Sequence, residues 1–297
     1  MDSISSVGKQ PSVTATEKKT SSAWMGSNQS PNTACCNTSR DDGIGFDQLA
    51  IIRTGSRNDI AAHLDFWNSD GSVSSTCGNA TRCVADLLMS ERNCKELILS
   101  TNHDEIKCLK VNGELISTNL GQPKIIWNEI PLSEECDTLS LPLKGNPVAT
   151  SMGNPHCTYF VRDLEAHSIQ EIGSATEVNS LFPERTNVQI AEVIDSSTVR
   201  VKVWERGCGV TMASGSSACA VTVASKRLGF TNGVVNIELD GGILFAEWKK
   251  DGVWLTGPTA FVFYGEISGE YLRGCLLYTS DAADEGLGVD LGGRRII

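Results

Sequence analysis

An α+β fold of two lobes, each wrapped around one buried helix, is what this sequence predicts, and three observations carry the prediction. Two tight, small-residue turns, Cys77-Gly78-Asn79 and Ser214-Gly215-Ser216, each open directly into a near-continuous run of small and apolar residues. A helix that is apolar most of the way round belongs inside its domain. Around each run lie short β-type segments punctuated by Asn, Asp and Gly, the pattern of antiparallel meanders and not of a parallel β-α-β series. The 297 residues allow two lobes of ordinary size, and 40% hydrophobic residues are enough for their cores.

Taken in order, residues 1–34 are rich in Ser, Thr, Gln and Lys without apolar periodicity and read as a disordered tail. Residues 35–127 form the first lobe. Leu49-Ala50-Ile51-Ile52 reads as a buried strand and Ala61 to Trp67 as an alternating one, with a turn at Asn68-Ser69-Asp70-Gly71. After the helix that follows Cys77, LILSTNHDEIKCLKVNGELISTN reads as short strands joined by Asn/Gly turns, and GQPKIIWNEIPL as the crossover to the second lobe. Residues 128–263 form that lobe, with a helical DLEAHSIQEIGSATE, the strands NVQIAEVID and TVRVKVWE, the second buried helix, and hairpins turning at Asp240-Gly241-Gly242 and Asp251-Gly252. A final strand is expected over 264–273. The last stretch, 274–297, fits no core pattern, and its CLLYTSDAADE reads as translated adapter sequence, not native protein.

Composition excludes several functions. A formal net charge of −11 argues against nucleic acid and anionic membrane as partners. No apolar run is long enough to cross a bilayer, and no signal-peptide core is present. The 11 cysteines show neither C-x-x-C pairs nor regular spacing, so neither a zinc cage nor a disulfide framework is indicated, and reduced thiols in a cytoplasmic setting are expected. No pyridoxal-phosphate lysine environment, metal-ligand cluster or dinucleotide glycine fingerprint stands out, so no cofactor is expected.

The chemistry points to the two helix entrances. The first backbone N–H groups of a helix lack intrahelical partners, and the macrodipole adds roughly +0.5 charge there. Gly78 and Gly215 let a ligand approach that backbone closely. Such a site binds a carboxylate, and it would lower the pKa of Cys77. A single small-residue helix start is ordinarily just an N-cap; two of them, one bearing a cysteine, suggest a site between the lobes.

With those motifs in hand the chain resembles the diaminopimelate epimerases, cofactor-independent amino-acid epimerases. The resemblance runs from about Asp41 to Gly269 and rests on six motifs in the family's order: Gly43-Ile44-Gly45-Phe46-Asp47-Gln48, Trp67-Asn68-Ser69-Asp70-Gly71-Ser72, Cys77 to Cys83, Gly153-Asn154-Pro155-His156, Thr186-Asn187-Val188 and Glu205-Arg206-Gly207. It implies two similar lobes, each a curled, mainly antiparallel sheet around a central helix, with the substrate between them. It also implies a reaction in which a thiolate removes the α-proton and a group on the opposite face returns one, converting LL- to meso-diaminopimelate. By this resemblance Cys77 is one catalytic group. Gln48, Asn68, Gly78, Asn79, Asn154, Asn187, Glu205, Arg206, Gly215 and Ser216 surround the substrate, although an isolated asparagine such as Asn68 is also an ordinary turn former. A small amino-acid substrate, and optionally a second copy in a homodimer, are the partners this reading expects.

Two departures stand out. Where the family places its second catalytic cysteine this chain has Ser214, and a serine hydroxyl needs an activating partner to act as a base at neutral pH. The family's opening strand and glycine loop are reduced to a faint echo in Met25-Gly26-Ser27-Asn28, so a first strand is not expected. Three readings stay open: an epimerase using Cys77 and Ser214, a related isomerase or dehydratase working from one face, and an inert amino-acid-binding homologue. Cys219, five positions into the helix, reads as a core cysteine; His156 reads either as a general base or as a buried support.

Overall fold

The apolar runs become strands and helices in a computed structural model that describes residues 12–15, 22–25, 48–68, 73–74, 77–113, 115–261 and 263–266. The GIGFD run, residues 69–72, and residues 267–297 with their anomalous tail lie outside that description.

The N-terminal segment departs from the expectation of a strandless tail. β1 (Ser12–Ala15) pairs antiparallel with the last strand of the chain, and β2 (Ser22–Met25) runs parallel to β3 (Gln48–Thr54). Both are four-residue strands of mixed polarity, and their partners lie 26 or more positions away in sequence, so no local periodicity announces them. β3 and β4 (Ile60–Asn68) are the buried and the alternating strand read from the sequence: Leu49, Ala50 and Ile51 are buried, as are Ala62, Leu64 and Phe66. β5 (Val73–Ser74) pairs with the end of β4.

α1 (Gly78–Arg92) follows, with Cys77 as its N-cap and Asn93 ending it in the left-handed conformation at φ 50°. Only one face of α1 is buried, through Ala80, Val84, Ala85, Leu88 and Met89. The sequence reading of a helix apolar most of the way round is narrowed here, and Asp86 on the other side reaches Lys110 and Thr259 at 2.9 and 2.6 Å. β6 (Glu96–Ser100), β7 (Glu105–Val111) and β8 (Leu115–Asn119) complete the meander, and the first hydrophobic core lies between these strands and α1.

In the second lobe β9 (Val148–Ser151) and β10 (Pro155–Val161) form a hairpin whose turn carries Gly153 and Asn154. The predicted helical stretch divides into a 3-10 turn at Leu164–Ala166 and α2 (Ile169–Glu177). β11 (Asn187–Asp195), β12 (Thr198–Glu205) and β13 (Gly209–Thr211) lead to α3 (Gly215–Arg227). α3 is the buried helix the sequence predicts: every residue from Ser217 to Ser225 is buried, and Ala218, Cys219, Ala220, Val221 and Val223 belong to the second core. β14 (Val234–Leu239), β15 (Gly242–Lys249) and β16 (Gly252–Pro258) are joined by the two predicted glycine turns, and β17 (Phe263–Glu266) closes on β1.

The two lobes share one sheet. Its strands run β2-β3-β4-β6-β7-β8-β16-β15-β14-β12-β11-β10-β9, and the junction is the antiparallel pairing of β8 with β16. Most pairings are antiparallel; β2–β3, β4–β6, β10–β11 and β12–β14 are parallel. The architecture is therefore α+β, with a helix packed into each curled half.

Candidate active site

Each helix begins where a strand ends, and the junction brings the two beginnings together. A Cβ built on Gly215 would stand 3.6 Å from the Gly78 Cα and 2.9 Å from Leu255 Cδ2. The first turns of α1 and α3 therefore abut, with Leu255 of β16 between them, and a side chain at Gly215 would have to displace the end of Leu255. Two helix N-termini converge on one place, and their unpartnered N–H groups and macrodipoles favour a negative charge there.

Cys77 occupies the mouth of α1. Its Sγ accepts from the Ala80 amide at 3.3 Å, and its thiol donates to Gln48 Oε1 at 2.5 Å. Gln48 lies directly across the β3–β4 ladder from Asn68, so the first lobe's predicted residues gather at one sheet corner. The expectation of a lowered Cys77 pKa is corrected. Burial pushes the thiol up to about 12, outweighing the Ala80 amide and the Arg82 guanidinium, and the Glu205 carboxylate adds to the rise. In the closed arrangement Cys77 is a protonated thiol, because loss of solvent costs a thiolate more than one helix end returns.

Ser214 is the N-cap of α3 in position but not in bonding: its side chain caps no helix amide. The hydroxyl instead lies beside the Glu205 carboxylate at the end of β12, near enough to lower its pKa. Thr211 lies against the same carboxylate, although its Oγ1 lacks the geometry of a full hydrogen bond. Burial raises the Glu205 pKa, and these hydroxyls only partly offset it. Ser214 thus has the partner that a serine base needs. Glu205 also bears electrostatically on Cys77, so the carboxylate lies near the mouth of α1 as well.

Braces surround these groups. Asn154 Oδ1 accepts from His156 Nε2 at 2.9 Å, while His156 Nδ1 accepts from Gln189 Nε2 at 2.9 Å. Gln189 also donates to Ser217 in the first turn of α3 at 2.9 Å. His156 is fully buried, and burial followed by the nearby Arg206 charge pushes its pKa down to about 3. It is a neutral support that ties Asn154 to α3, which resolves its two sequence readings. Asn187 donates to the Pro155 carbonyl at 2.9 Å and accepts from the Arg206 amide at 3.0 Å, so its carboxamide braces the turn. The Arg206 guanidinium is exposed at the rim and holds the Glu184 carbonyl at 2.8 Å. Ser216 is half-buried in the first turn of α3. Cys219 is in the core.

Sequence reasoning missed Arg82, Gln189 and Glu177. Glu177, from α2, accepts from Trp204 Nε1 at 2.6 Å and from the Gly207 amide at 3.0 Å, fixing the turn after Glu205. Arg82 lies inside the Cys77–Cys83 motif, where its arginine was the available signal; Gln189 and Glu177 meet their partners only through long-range packing. Among the described residues no three His, Cys, Asp or Glu side chains are placed to hold a metal. A solvent-open depression of about 460 Å³, lined by Gln122, Lys226, Trp248, Lys249 and Lys250, sits at the other end of α3 and is separate from the helix mouths.

Helix mouths that meet at the junction of a two-lobed α+β fold, with a cysteine at one and a serine beside a carboxylate at the other, suit an enzyme of the isomerase class. Residues 27–126 and 148–262 match the diaminopimelate epimerase family, and the chain belongs to it. It is 44% identical over 239 residues to a diaminopimelate epimerase of Acidiphilium cryptum, covering 78% of this chain and 85% of that one. It is 43% identical over 237 residues to one of Phenylobacterium zucineum, covering 77% and 85%. The fold is also similar to that of a probable proline racemase from Agrobacterium radiobacter, with a TM-score of 0.62 over 87% of this chain and 93% of that one at 9% identity.

Proposed function

We propose that the chain converts LL-diaminopimelate to meso-diaminopimelate, a step of lysine biosynthesis, by α-proton transfer between Cys77 on one face and the Ser214–Glu205 pair on the other. The single observation that carries the mechanism is the abutment of the first turns of α1 and α3, which brings Cys77 and the neighbouring Ser214 and Glu205 to one place. The substrate α-carboxylate seats on the converging N–H groups of α1 and α3, where charge that develops on removal of the α-proton is stabilised. Arg206, exposed at the rim, grips the distal carboxylate, and Asn79 and Asn154 bond the polar groups of the substrate.

In one direction Ser214 Oγ takes the α-proton as its own proton passes to Glu205, and the C–H electron pair spreads into the carboxylate. The Cys77 thiol then protonates the opposite face and becomes a thiolate. In the reverse direction the Cys77 thiolate takes the α-proton, and the proton held by Glu205 returns through Ser214. The raised Glu205 pKa suits a group that must both accept and give a proton near neutrality. The one-face reading rests on the serine at this position and the inert reading on Ser214 with an absent first strand; Glu205 beside Ser214 favours the two-base reading. The reading also keeps a cytoplasmic setting.

The test is incubation with LL-diaminopimelate in deuterated water, followed by NMR and chiral chromatography. Exchange of the α-proton with formation of the meso isomer is expected. Exchange without inversion would reduce the reaction to the Cys77 face, and neither signal would leave only a binding protein.

A further inference from the structure

Arg82 is almost wholly buried, yet among the described residues no carboxylate pairs with it. Its side chain folds back toward the beginning of its own helix. Nη2 donates to Asn79 Oδ1 at 2.6 Å and Nη1 to the Gly78 carbonyl at 3.3 Å. Room for it comes from the opposite lobe: a Cβ on Gly257 of β16 would stand 3.2 Å from Nε and 3.4 Å from Cζ. The titratable groups bearing on the guanidinium are thiols, Cys77 and Cys83 around α1 and Cys219 from α3. A buried cation without a carboxylate partner is costly, and it stabilises any negative charge that forms beside it.

We propose that Arg82 is a positioning residue that holds the Asn79 carboxamide at the mouth of α1 and supplies the fixed positive charge against which the Cys77 thiolate forms during turnover. The proposal rests on the assignment of Cys77 as a proton-transfer group. The groups bearing on Cys77 are Cys83 from its own helix and Glu205 from β12, both of which oppose ionisation, and Arg82, which favours it. Glu205 takes a proton in the same half-reaction in which Cys77 loses one. The opposing charge is thereby removed just when Arg82 has a thiolate to face. The closeness of Gly257 places this cation where the lobes meet.

The test measures labelling of Cys77 by methyl methanethiosulfonate at pH 9, read by mass spectrometry, in the wild-type protein, R82Q and R82K, with melting curves to establish folding. Below a thiol's pKa the rate follows the thiolate fraction, and an adjacent opposite charge is worth about one pKa unit or more. R82Q is expected to label about tenfold more slowly than wild type, and R82K within about threefold of it. R82K, which loses the two-point grip on Gly78 and Asn79, is also expected to raise KM several-fold with a smaller change in kcat. A folded R82Q that labels as fast as wild type overturns the proposal. Should R82Q fail to fold, R82K decides: labelling slowed tenfold although its charge is kept overturns it equally. The labelling arm needs no substrate, so loss of the diaminopimelate reading would show as absent turnover with the labelling pattern intact.

Discussion

Ser214 and Glu205 form one unit, and the consequences of separating them are specific. Glu205→Gln keeps the size of the side chain beside Ser214 but can no longer take its proton. Inversion is expected to fall by about 10²–10⁴-fold, the usual worth of a positioned acid–base group, with the fold unaffected. Inversion in the wild type should rise with pH through the raised Glu205 pKa, since only the carboxylate accepts a proton, and the Gln variant should lose that acidic limb. A variant with unchanged rate and pH profile would remove Glu205 from the mechanism. The contribution of Glu205 to stability runs the other way: a carboxyl whose folded pKa is raised favours the fold below 4.5 and loses that contribution as pH rises through the folded value. His156 has the opposite sign, because its folded pKa of about 3 lies below the ordinary 6.5. Its neutral burial stabilises above 6.5 and is lost progressively as pH falls toward 3. His156→Gln should flatten that part of a stability–pH curve measured by urea unfolding; an unchanged slope would show that other groups govern acid unfolding. At this scale the sequence shows which residue types stand at the helix mouths, but not their surroundings. Cys77 illustrates the limit: the helix end that would lower its pKa is legible, and the burial that reverses the sign is a property of both lobes together.

Elements hold these residues in place through contacts that leave no periodic signal. α3 was legible because a helix buried all round reads as a continuous apolar run, and the glycine turns of β14 to β16 were legible because turn chemistry is local. The strands β1 and β2 were not, because their pairing is with strands far along the chain and their composition is that of a solvated segment. α2 was recognised as helical, but its task was hidden. Gly173 brings it so close to β12 that a Cβ there would stand 2.5 Å from Trp204 Cγ and 2.6 Å from its Cβ. That closeness lets Glu177, one turn later, reach Trp204 Nε1 and the Gly207 amide. Gly173→Ala would improve intrinsic helix propensity, yet the clash should dominate and cost about 1–3 kcal/mol. Because the displaced helix carries Glu177 away from the turn after Glu205 and Arg206, KM should rise along with the loss of stability. Equal or greater stability in the alanine variant, measured by denaturant unfolding, would show that α2 is not clamped to β12 in this way.

On the scale of the whole molecule, the question is whether the two lobes behave as one body. Each has its own core, one around α1 and the other around α3. They are joined by the β8–β16 ladder, in which Asn119, Thr118, Ser117, Ile116 and Leu115 face Trp254, Leu255, Thr256, Gly257 and Pro258. The side chains of Ser117 and Thr256 add a bond of 2.8 Å across it. Strands of one core thus form the edge on which the other is built: Ile116 belongs to the first core and Leu255 to the second, and the same Leu255 lies between the two helix mouths. Neither lobe can unfold without exposing a row of backbone groups and part of its neighbour's apolar face, so a single cooperative transition is expected. Gly257→Ala probes this junction directly, because its Cβ would stand 2.7 Å from Leu244 Cδ2 and 3.2 Å from Arg82 Nε, one group from each lobe. Overpacking there should cost about 1–3 kcal/mol. Native-state hydrogen exchange then reads the outcome at the buried amides of Val84 in α1 and Val221 in α3. If the lobes are one cooperative unit, the substitution lowers protection at both by the same free energy. A loss confined to one helix would mean that the lobes open independently across β8 and β16, and that substrate entry needs only one of them to move.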